Sequence, residues 1–206
     1  MAGSSQLRPQ LVARIVYGPL RALARSGCPL TDARCCAADC RLSSSGPRSA
    51  GGFTVYRPES WLFDGTGLQY GDVLGSESTI FGYEVDGLQY ELRDGVPYPT
   101  GEDGAAVDGS LRILAIGLCS NVGMIGDQRL VAMSRFGNDD EDSMERASRG
   151  NGMIVELQRG AGSVVHAGST EWCAGLQQGA EDALVAQVTH NILGKFLAPY
   201  LGQARL

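Results

Sequence analysis

Met153-Ile154-Val155-Glu156-Leu157 and Ser163-Val164-Val165-His166-Ala167 are the two runs that decide the fold. Both runs are rich in β-branched residues, and residues 158–162 between them are typical of a tight turn. The pattern therefore predicts two antiparallel strands joined as a β-hairpin.

The C-terminal part of the sequence predicts an amphipathic helix over residues 181–197. Its apolar stripe has i, i+4 spacing, with a flanking row of further apolar residues: Leu184, Val188, Ile192 and Phe196, then Val185, Leu193 and Leu197. Acidic residues at its start and Lys195 near its end suit the helix dipole, and Pro199 predicts its end. A helix with such a stripe packs on a sheet. We therefore expect an α/β or α+β class with a mostly β core.

Other parts of the chain add strands and loops around this hairpin. Further strands are predicted at 53–56, 80–87, 111–118 and 130–133, and a long surface loop at 87–109. In the 80–87 strand, alternation puts Ile80, Gly82, Glu84 and Asp86 on one face and Phe81, Tyr83 and Val85 on the other. Residues 138–152 are polar and predict a mobile loop or a short surface helix.

The first 52 residues differ from the rest of the sequence. They hold seven arginines and two acidic residues, which give a net charge of +5. Residues 53–206 have a net charge of −11, so the whole chain has −6. Four cysteines lie in this segment, at 28, 35, 36 and 40, but their spacing and the lack of a nearby histidine argue against zinc. We expect an Arg/Ser/Cys-rich segment at 1–52, disordered or mis-translated, followed by one domain over 53–206.

Composition excludes some classes of partner. With a pI of about 4.9, the chain lacks the basic footprint that nucleic-acid binding needs. No apolar run reaches the roughly 18 residues of a membrane span, and no signal peptide is evident. We expect a cytoplasmic protein without nucleic-acid or membrane partners, whose Cys119 and Cys173 are buried, reduced thiols.

Side chains with catalytic potential mostly have simpler interpretations. Ser169 lies near His166, but the surrounding sequence is not a nucleophile elbow, so Ser169 or Thr170 is expected to cap a short helix. His166 at a strand end is interpreted as structural, and His190 as exposed on the C-terminal helix. The acidic run 139–142 lacks EF-hand spacing and predicts a solvated loop rather than a calcium site.

Several segments, taken in order, resemble one known family. They are residues 53–59 (Phe-Thr-Val-Tyr-Arg-Pro-Glu), 61–68 (Trp-Leu-Phe-Asp-Gly-Thr-Gly-Leu), Gly71-Asp72, 82–87 (Gly-Tyr-Glu-Val-Asp-Gly), 165–172 (Val-His-Ala-Gly-Ser-Thr-Glu-Trp) and 188–193 (Val-Thr-His-Asn-Ile-Leu). Their order and spacing resemble the C-terminal domain of the N,N-dimethylformamidase beta (large) subunit-like family, over residues of about 53–197.

The resemblance implies the C-terminal portion of an amidohydrolase that cleaves the C–N bond of small amides. It also implies a class I glutamine-amidotransferase-like assembly, a small helical partner subunit, and iron held by two tyrosines and a glutamate in the full-length family. The Gly-His-Asp-Glu-Tyr type motif that carries the ligating glutamate is absent from this sequence. The chain therefore has no predicted metal ligand or cofactor of its own, and is expected to be incomplete as a catalyst.

Glu84 is the one site residue that the resemblance carries over. It lies in Gly-Tyr-Glu, where the resemblance implies a general base that takes a proton from a metal-bound water. The alternative interpretation is a glutamate on a strand that faces solvent or has a structural partner. A competing function for the whole chain is a non-catalytic interaction or assembly module, working as a homo-oligomer or with a small partner subunit. Large exposed apolar patches would favour a truncated piece over an independent domain.

Overall fold

The computed structural model describes residues 51–81, 85–100, 107–120, 129–130, 132–133, 136–159, 162–177 and 182–201. The strands are β1 (Phe53–Val55), β2 (Val73–Leu74), β3 (Tyr90–Arg93), β4 (Val96–Pro99), β5 (Arg112–Ser120), β6 (Arg149–Arg159) and β7 (Gly162–His166). The α-helices are α1 (Glu141–Ala147) and α2 (Ala183–Leu201), and 3-10 helices span Trp61–Phe63 and Thr170–Leu176. The predicted segment 1–52 lies outside the described residues apart from Gly51 and Gly52, which are buried.

Five of these strands form one sheet in the order β2-β1-β5-β6-β7, and every pairing among them is antiparallel. The predicted hairpin is confirmed as β6 and β7, in which Val155 lies opposite His166. The predicted strand at 111–118 is confirmed as β5, with a register shift between Ile113 and Ala115. The described residues thus form a mixed, mostly β architecture with a C-terminal helix.

The sheet separates two apolar cores. On the helix side, α2 contributes four buried side chains, Val185, Val188, Ile192 and Phe196, which pack with Phe53, Phe81, Leu114 and Ile154. On the other side, Ile113, Ile116, Met153 and Val155 pack with Leu88, and Tyr56 and Tyr90 lie at the edge. Three residues of the predicted stripe are therefore buried and Leu184 is partly buried. In the flanking row Val185 is buried, whereas Leu193 and Leu197 are 45% and 49% exposed.

Three predictions about local structure are wrong. The loop predicted at 87–109 contains the antiparallel hairpin of β3 and β4, whose Asp94-Gly95 turn takes positive φ values of 51° and 79°. The strand predicted at 130–133 is helical where it is described. The C-terminal helix was predicted to end at Pro199, but α2 continues through Pro199 to Leu201.

Within the part of the chain that the structure describes, no helix is long and apolar enough to cross a membrane.

Candidate site around the Gly-Tyr-Glu segment

Glu84, the predicted general base, lies outside the described residues, as do Gly82 and Tyr83. The residues on either side are described and buried: Phe81 is 0% exposed and Val85 is 3% exposed. Ile80 and Phe81, which alternation assigned to opposite faces, belong to the same core. Thr79 has a φ of 55°, so the chain arrives at Ile80 from a turn, and strict strand alternation does not hold there.

Phe81 anchors the chain just before the Gly-Tyr-Glu segment. Its ring packs on two glycines that face each other across the β5–β6 ladder, Gly117 and Gly152. A Cβ at Gly117 would lie 2.5 Å from the ring and one at Gly152 would lie 2.7 Å from it, so only hydrogen at both positions leaves room. Phe53 contacts the ring edge-on, with centroids 5.0 Å apart. The two glycines therefore fix the depth of Phe81.

Val85 and Asp86 anchor the chain just after the segment. Val85 forms a bridge with Ser169. The Asp86 N–H donates to the Gly168 carbonyl at 3.0 Å, and the Asp86 carbonyl accepts from the Met153 N–H at 3.0 Å. These backbone contacts hold the chain against the end of β7 and the middle of β6.

His166 and Asp86 form a buried polar pair at the same place. His166 Nε2 lies 3.3 Å from Asp86 Oδ2, and the two side chains are 6% and 14% exposed. His166 Nδ1 accepts a hydrogen bond from the Gly168 N–H at 2.9 Å. A ring nitrogen that accepts this bond carries no proton, so the neutral imidazole has its proton on Nε2, toward the carboxylate. His166 was expected from its place at a strand end to be structural, but Asp86 was not predicted as its partner.

The turn at Gly168 contacts both members of this pair through the backbone of Gly168. Gly168 has a φ of 74°, and a Cβ there would lie 2.4 Å from the Met153 carbonyl oxygen. No other residue fits without a shift of backbone. In that conformation its N–H reaches His166 and its carbonyl reaches Asp86.

Three of the remaining predictions for single side chains are confirmed and one is wrong. Ser169 caps the 3-10 helix Thr170–Leu176 by accepting from the Glu171 N–H, as predicted. His190 is exposed, as predicted. Cys119 is buried, but the prediction of a buried Cys173 is wrong because that residue is exposed on the 3-10 helix. In the acidic run, Asp140 caps helix α1 by accepting from the Ser143 N–H at 2.8 Å.

A second polar network lies on the helix side of β6. Glu156 is held by the Trp61 indole N–H at 2.7 Å and by Arg112 at 2.5 Å. Arg112 also pairs with Glu59, and Lys195 lies over the Trp61 ring, 4.5 Å from its centroid. The carboxylate therefore has donors from two elements, which suits a structural role.

Besides Asp140, whose pKa is lowered by its hydrogen bonds from Ser143, two titratable groups elsewhere have shifted pKa values with clear causes. Burial raises the pKa of the Tyr90 phenol, and nearby Tyr56 adds to the effect. Hydrogen bonds from the Ser110 hydroxyl and N–H lower the pKa of Asp108, and Arg159 acts in the same direction. Neither group lies in the pair formed by His166 and Asp86.

No group of three or more His, Cys, Asp or Glu side chains is placed to hold a metal ion among the described residues. The pair of His166 and Asp86 brings together two such side chains, one fewer than the three protein ligands that a catalytic metal usually has. The iron centre that the resemblance implies for the full-length family uses two tyrosines and a glutamate, so this histidine and aspartate are not that ligand set.

The described residues define an α+β domain whose antiparallel sheet anchors both ends of a Gly-Tyr-Glu segment. Residues 41–183, more than half of the chain, match the family described as N,N-dimethylformamidase beta subunit-like, C-terminal, and the chain belongs to this family. The match begins inside the Arg/Ser/Cys-rich segment and ends at the start of α2. No curated protein and no solved structure matches the chain.

Proposed function

We propose that this chain is the C-terminal portion of an amidohydrolase subunit that hydrolyses the C–N bond of small amides. The observation that carries the proposal is the family match over residues 41–183. The proposal includes the association of this domain with a class I glutamine-amidotransferase-like domain, a small amide as substrate where the full site is present, and a cytoplasmic setting.

In this proposal Glu84 acts as the general base. A carboxylate placed beside the attacking water takes its proton as the water adds to the amide carbon, a contribution of typically 10²–10⁴-fold in rate. The anchored residues on either side support the assignment, since Phe81 is seated on two glycines and Asp86 is bonded to Gly168 and Met153. A base is effective only when its position is held within hydrogen-bond reach of its proton.

We assign the iron of the family to the upstream part of a full-length subunit. The present sequence lacks the Gly-His-Asp-Glu-Tyr type motif that carries the ligating glutamate. The contribution of this chain is then the base and the sheet that positions it, and the complete site needs both parts.

The test is a joined protein, in which this chain replaces the C-terminal region of a full-length family subunit. Release of dimethylamine from N,N-dimethylformamide is measured with iron supplied, for the joined protein and for the present chain alone. We expect turnover only in the joined protein. Glu84→Gln, which removes the base but keeps the size of the side chain, is expected to lower kcat at least about a hundredfold.

The matched control is Glu77→Gln, a glutamate on the surface of the same domain, which is expected to leave kcat unchanged. A folded joined protein without turnover contradicts the proposed hydrolysis. Full activity in Glu84→Gln contradicts the assigned base.

The second candidate function is an assembly module without chemistry of its own, acting as a homo-oligomer or with a small partner subunit. The observation that favours it is the row of Leu193 and Leu197 on α2, which are 45% and 49% exposed although Phe196 between them is buried. Apolar side chains on a helix surface are typical of contacts with a second chain.

Sedimentation of the purified chain tests this second function. An oligomer that dissociates in Leu193→Ser/Leu197→Ser but not in the control His190→Ser, on the same helix, supports assembly through α2. A monomer at all concentrations argues against self-association and leaves a different partner subunit to be tested by the same variants.

A further inference from the structure

The pair of His166 and Asp86 places two polar side chains inside the domain, where core packing needs only apolar ones. Both polar side chains are almost fully buried, at 6% and 14% exposure, in a part of the sheet where Val155 lies opposite His166. Burying polar groups is costly unless they are hydrogen-bonded in a fixed geometry. His166 Nδ1 accepts a hydrogen bond from the Gly168 N–H, and its Nε2 lies 3.3 Å from Asp86 Oδ2.

We propose that His166 is a positioning residue, locked as the Nε2–H tautomer, which holds the Asp86 carboxylate and thereby fixes the chain that leads out of the Gly-Tyr-Glu segment. This inference rests on the proposed function for its catalytic consequence. Its structural part, the tautomer and the anchoring of Asp86, stands on the described contacts alone.

The geometry explains why a histidine is suited to this position. The Gly168 N–H needs an acceptor, which Nδ1 supplies at 2.9 Å. The Asp86 carboxylate needs a donor, which Nε2–H supplies at 3.3 Å. One neutral imidazole offers both on opposite sides of a rigid ring. Asparagine or glutamine at this position can supply either the acceptor for the Gly168 N–H or the donor to Asp86, but not both.

Asp86 is connected to the rest of the sheet by the same turn. Its N–H donates to the Gly168 carbonyl, and Gly168 in turn donates to His166. Side chain and backbone thus form a closed ring of contacts through Asp86, His166 and Gly168. Loss of the side-chain contact should loosen the backbone contacts in that ring, beginning with the Asp86 N–H.

The first test is NMR on the full chain with ¹⁵N-labelled histidine. The sequence has only two histidines, and the exposed His190 is an internal reference. We expect His166 to show the Nε2–H tautomer with a hydrogen-bonded Nδ1. Amide exchange at Asp86 is expected to accelerate about tenfold or more in His166→Asn, which keeps an acceptor for Gly168 but loses the donor to Asp86.

His166→Gln is the second variant, because its amide nitrogen reaches further and offers a donor to Asp86. Slower exchange at Asp86 in His166→Gln than in His166→Asn supports the pairing, and His190→Asn is the control that should change neither. An Nδ1–H tautomer, or equal exchange in the parent chain and His166→Asn, overturns the inference.

The effect of His166 on catalysis is measured in the same joined protein that is used to test hydrolysis. His166→Asn is expected to lower kcat about tenfold to a hundredfold with KM nearly unchanged, because misplacement of a base affects the chemical step, and His166→Gln should recover part of the loss. An unchanged kcat overturns the positioning role. The NMR result does not depend on turnover, so failure of the proposed hydrolysis and failure of the pair are distinguished.

Discussion

Gly117→Ala should destabilise the domain because its new methyl group would collide with Phe81. The added Cβ would lie 2.5 Å from two ring carbons of Phe81 and 2.9 Å from a third, whereas carbon atoms in contact prefer separations of about 3.5–4.0 Å. Overpacking of this kind costs about 1–3 kcal/mol. Replacing glycine in a strand returns about 0.5–1 kcal/mol of backbone entropy. We therefore expect a net loss of about 1–2 kcal/mol in the free energy of unfolding.

A double-mutant cycle makes this reasoning specific to the contact. Phe81→Ala alone should cost about 3–5 kcal/mol, because the ring is fully buried. Once the ring is absent, the three atoms nearest to the new methyl group are gone, and Gly117→Ala should become neutral or slightly stabilising. The two substitutions should therefore be non-additive, with a coupling of at least about 1 kcal/mol.

The measurement is urea unfolding of the four proteins, followed by tryptophan fluorescence and circular dichroism. Gly109→Ala is the control, since a Cβ there meets no atom within 4 Å. Phe81→Leu replaces Phe81→Ala if the latter fails to fold. Additivity within about 0.5 kcal/mol would refute the claim that Gly117 is needed for the seat of Phe81.

Three further predictions concern the C-terminal helix and the acid stability. Asp182 accepts from the N–H groups of Leu184 and Val185 at 3.0 and 3.1 Å, so Asp182→Ala should cost about 1 kcal/mol in urea unfolding, whereas Asp182→Asn should keep most of the cap. Gly194→Ala, in helix α2 with no atom near the new methyl group, should raise stability by about 0.5–1 kcal/mol, and a loss would indicate a contact that the structure does not contain. The lowered pKa of Asp108 means that its contribution to stability is present above its unfolded pKa of about 3.9 and is lost as pH falls through the folded value. As pH is lowered, the urea midpoint of Ser110→Ala should therefore fall less steeply than that of the parent. The same pH dependence in both proteins would contradict the role of Ser110 in lowering the pKa of Asp108.

The strong periodic signals in the sequence predict the elements that are buried along one face. The hairpin of β6 and β7 and the stripe of α2 were predicted because burial imposes a regular spacing on apolar residues. The hairpin of β3 and β4 was missed because Val96-Pro97-Tyr98-Pro99 contains two prolines, which indicate a loop when only local propensity is considered. It pairs with a strand, Tyr90–Arg93, whose side chains are half-buried or exposed, so no apolar alternation marks it.

The candidate site was predictable only in part, because its main side-chain contact joins residues that are far apart in the sequence. The sequence placed Glu84 and Asp86 together by strand alternation, but it gave no sign that His166, 80 positions later, would lie beside Asp86. That contact depends on the fold of the Gly168 turn. Two signals were present in the sequence, a histidine followed two residues later by glycine and an aspartate followed by glycine, but each alone is too common to predict a pair.

Helix α2 also determines how short the chain can be made. The family match ends at residue 183, where the helix begins, yet Val185, Val188, Ile192 and Phe196 line the main core. Further along, the Asn191 amide donates to the carbonyls of Leu62 and Asp64, near the first strand. A protein cut at the family boundary would expose one face of the sheet to water, and during synthesis that face cannot close until α2 has been made.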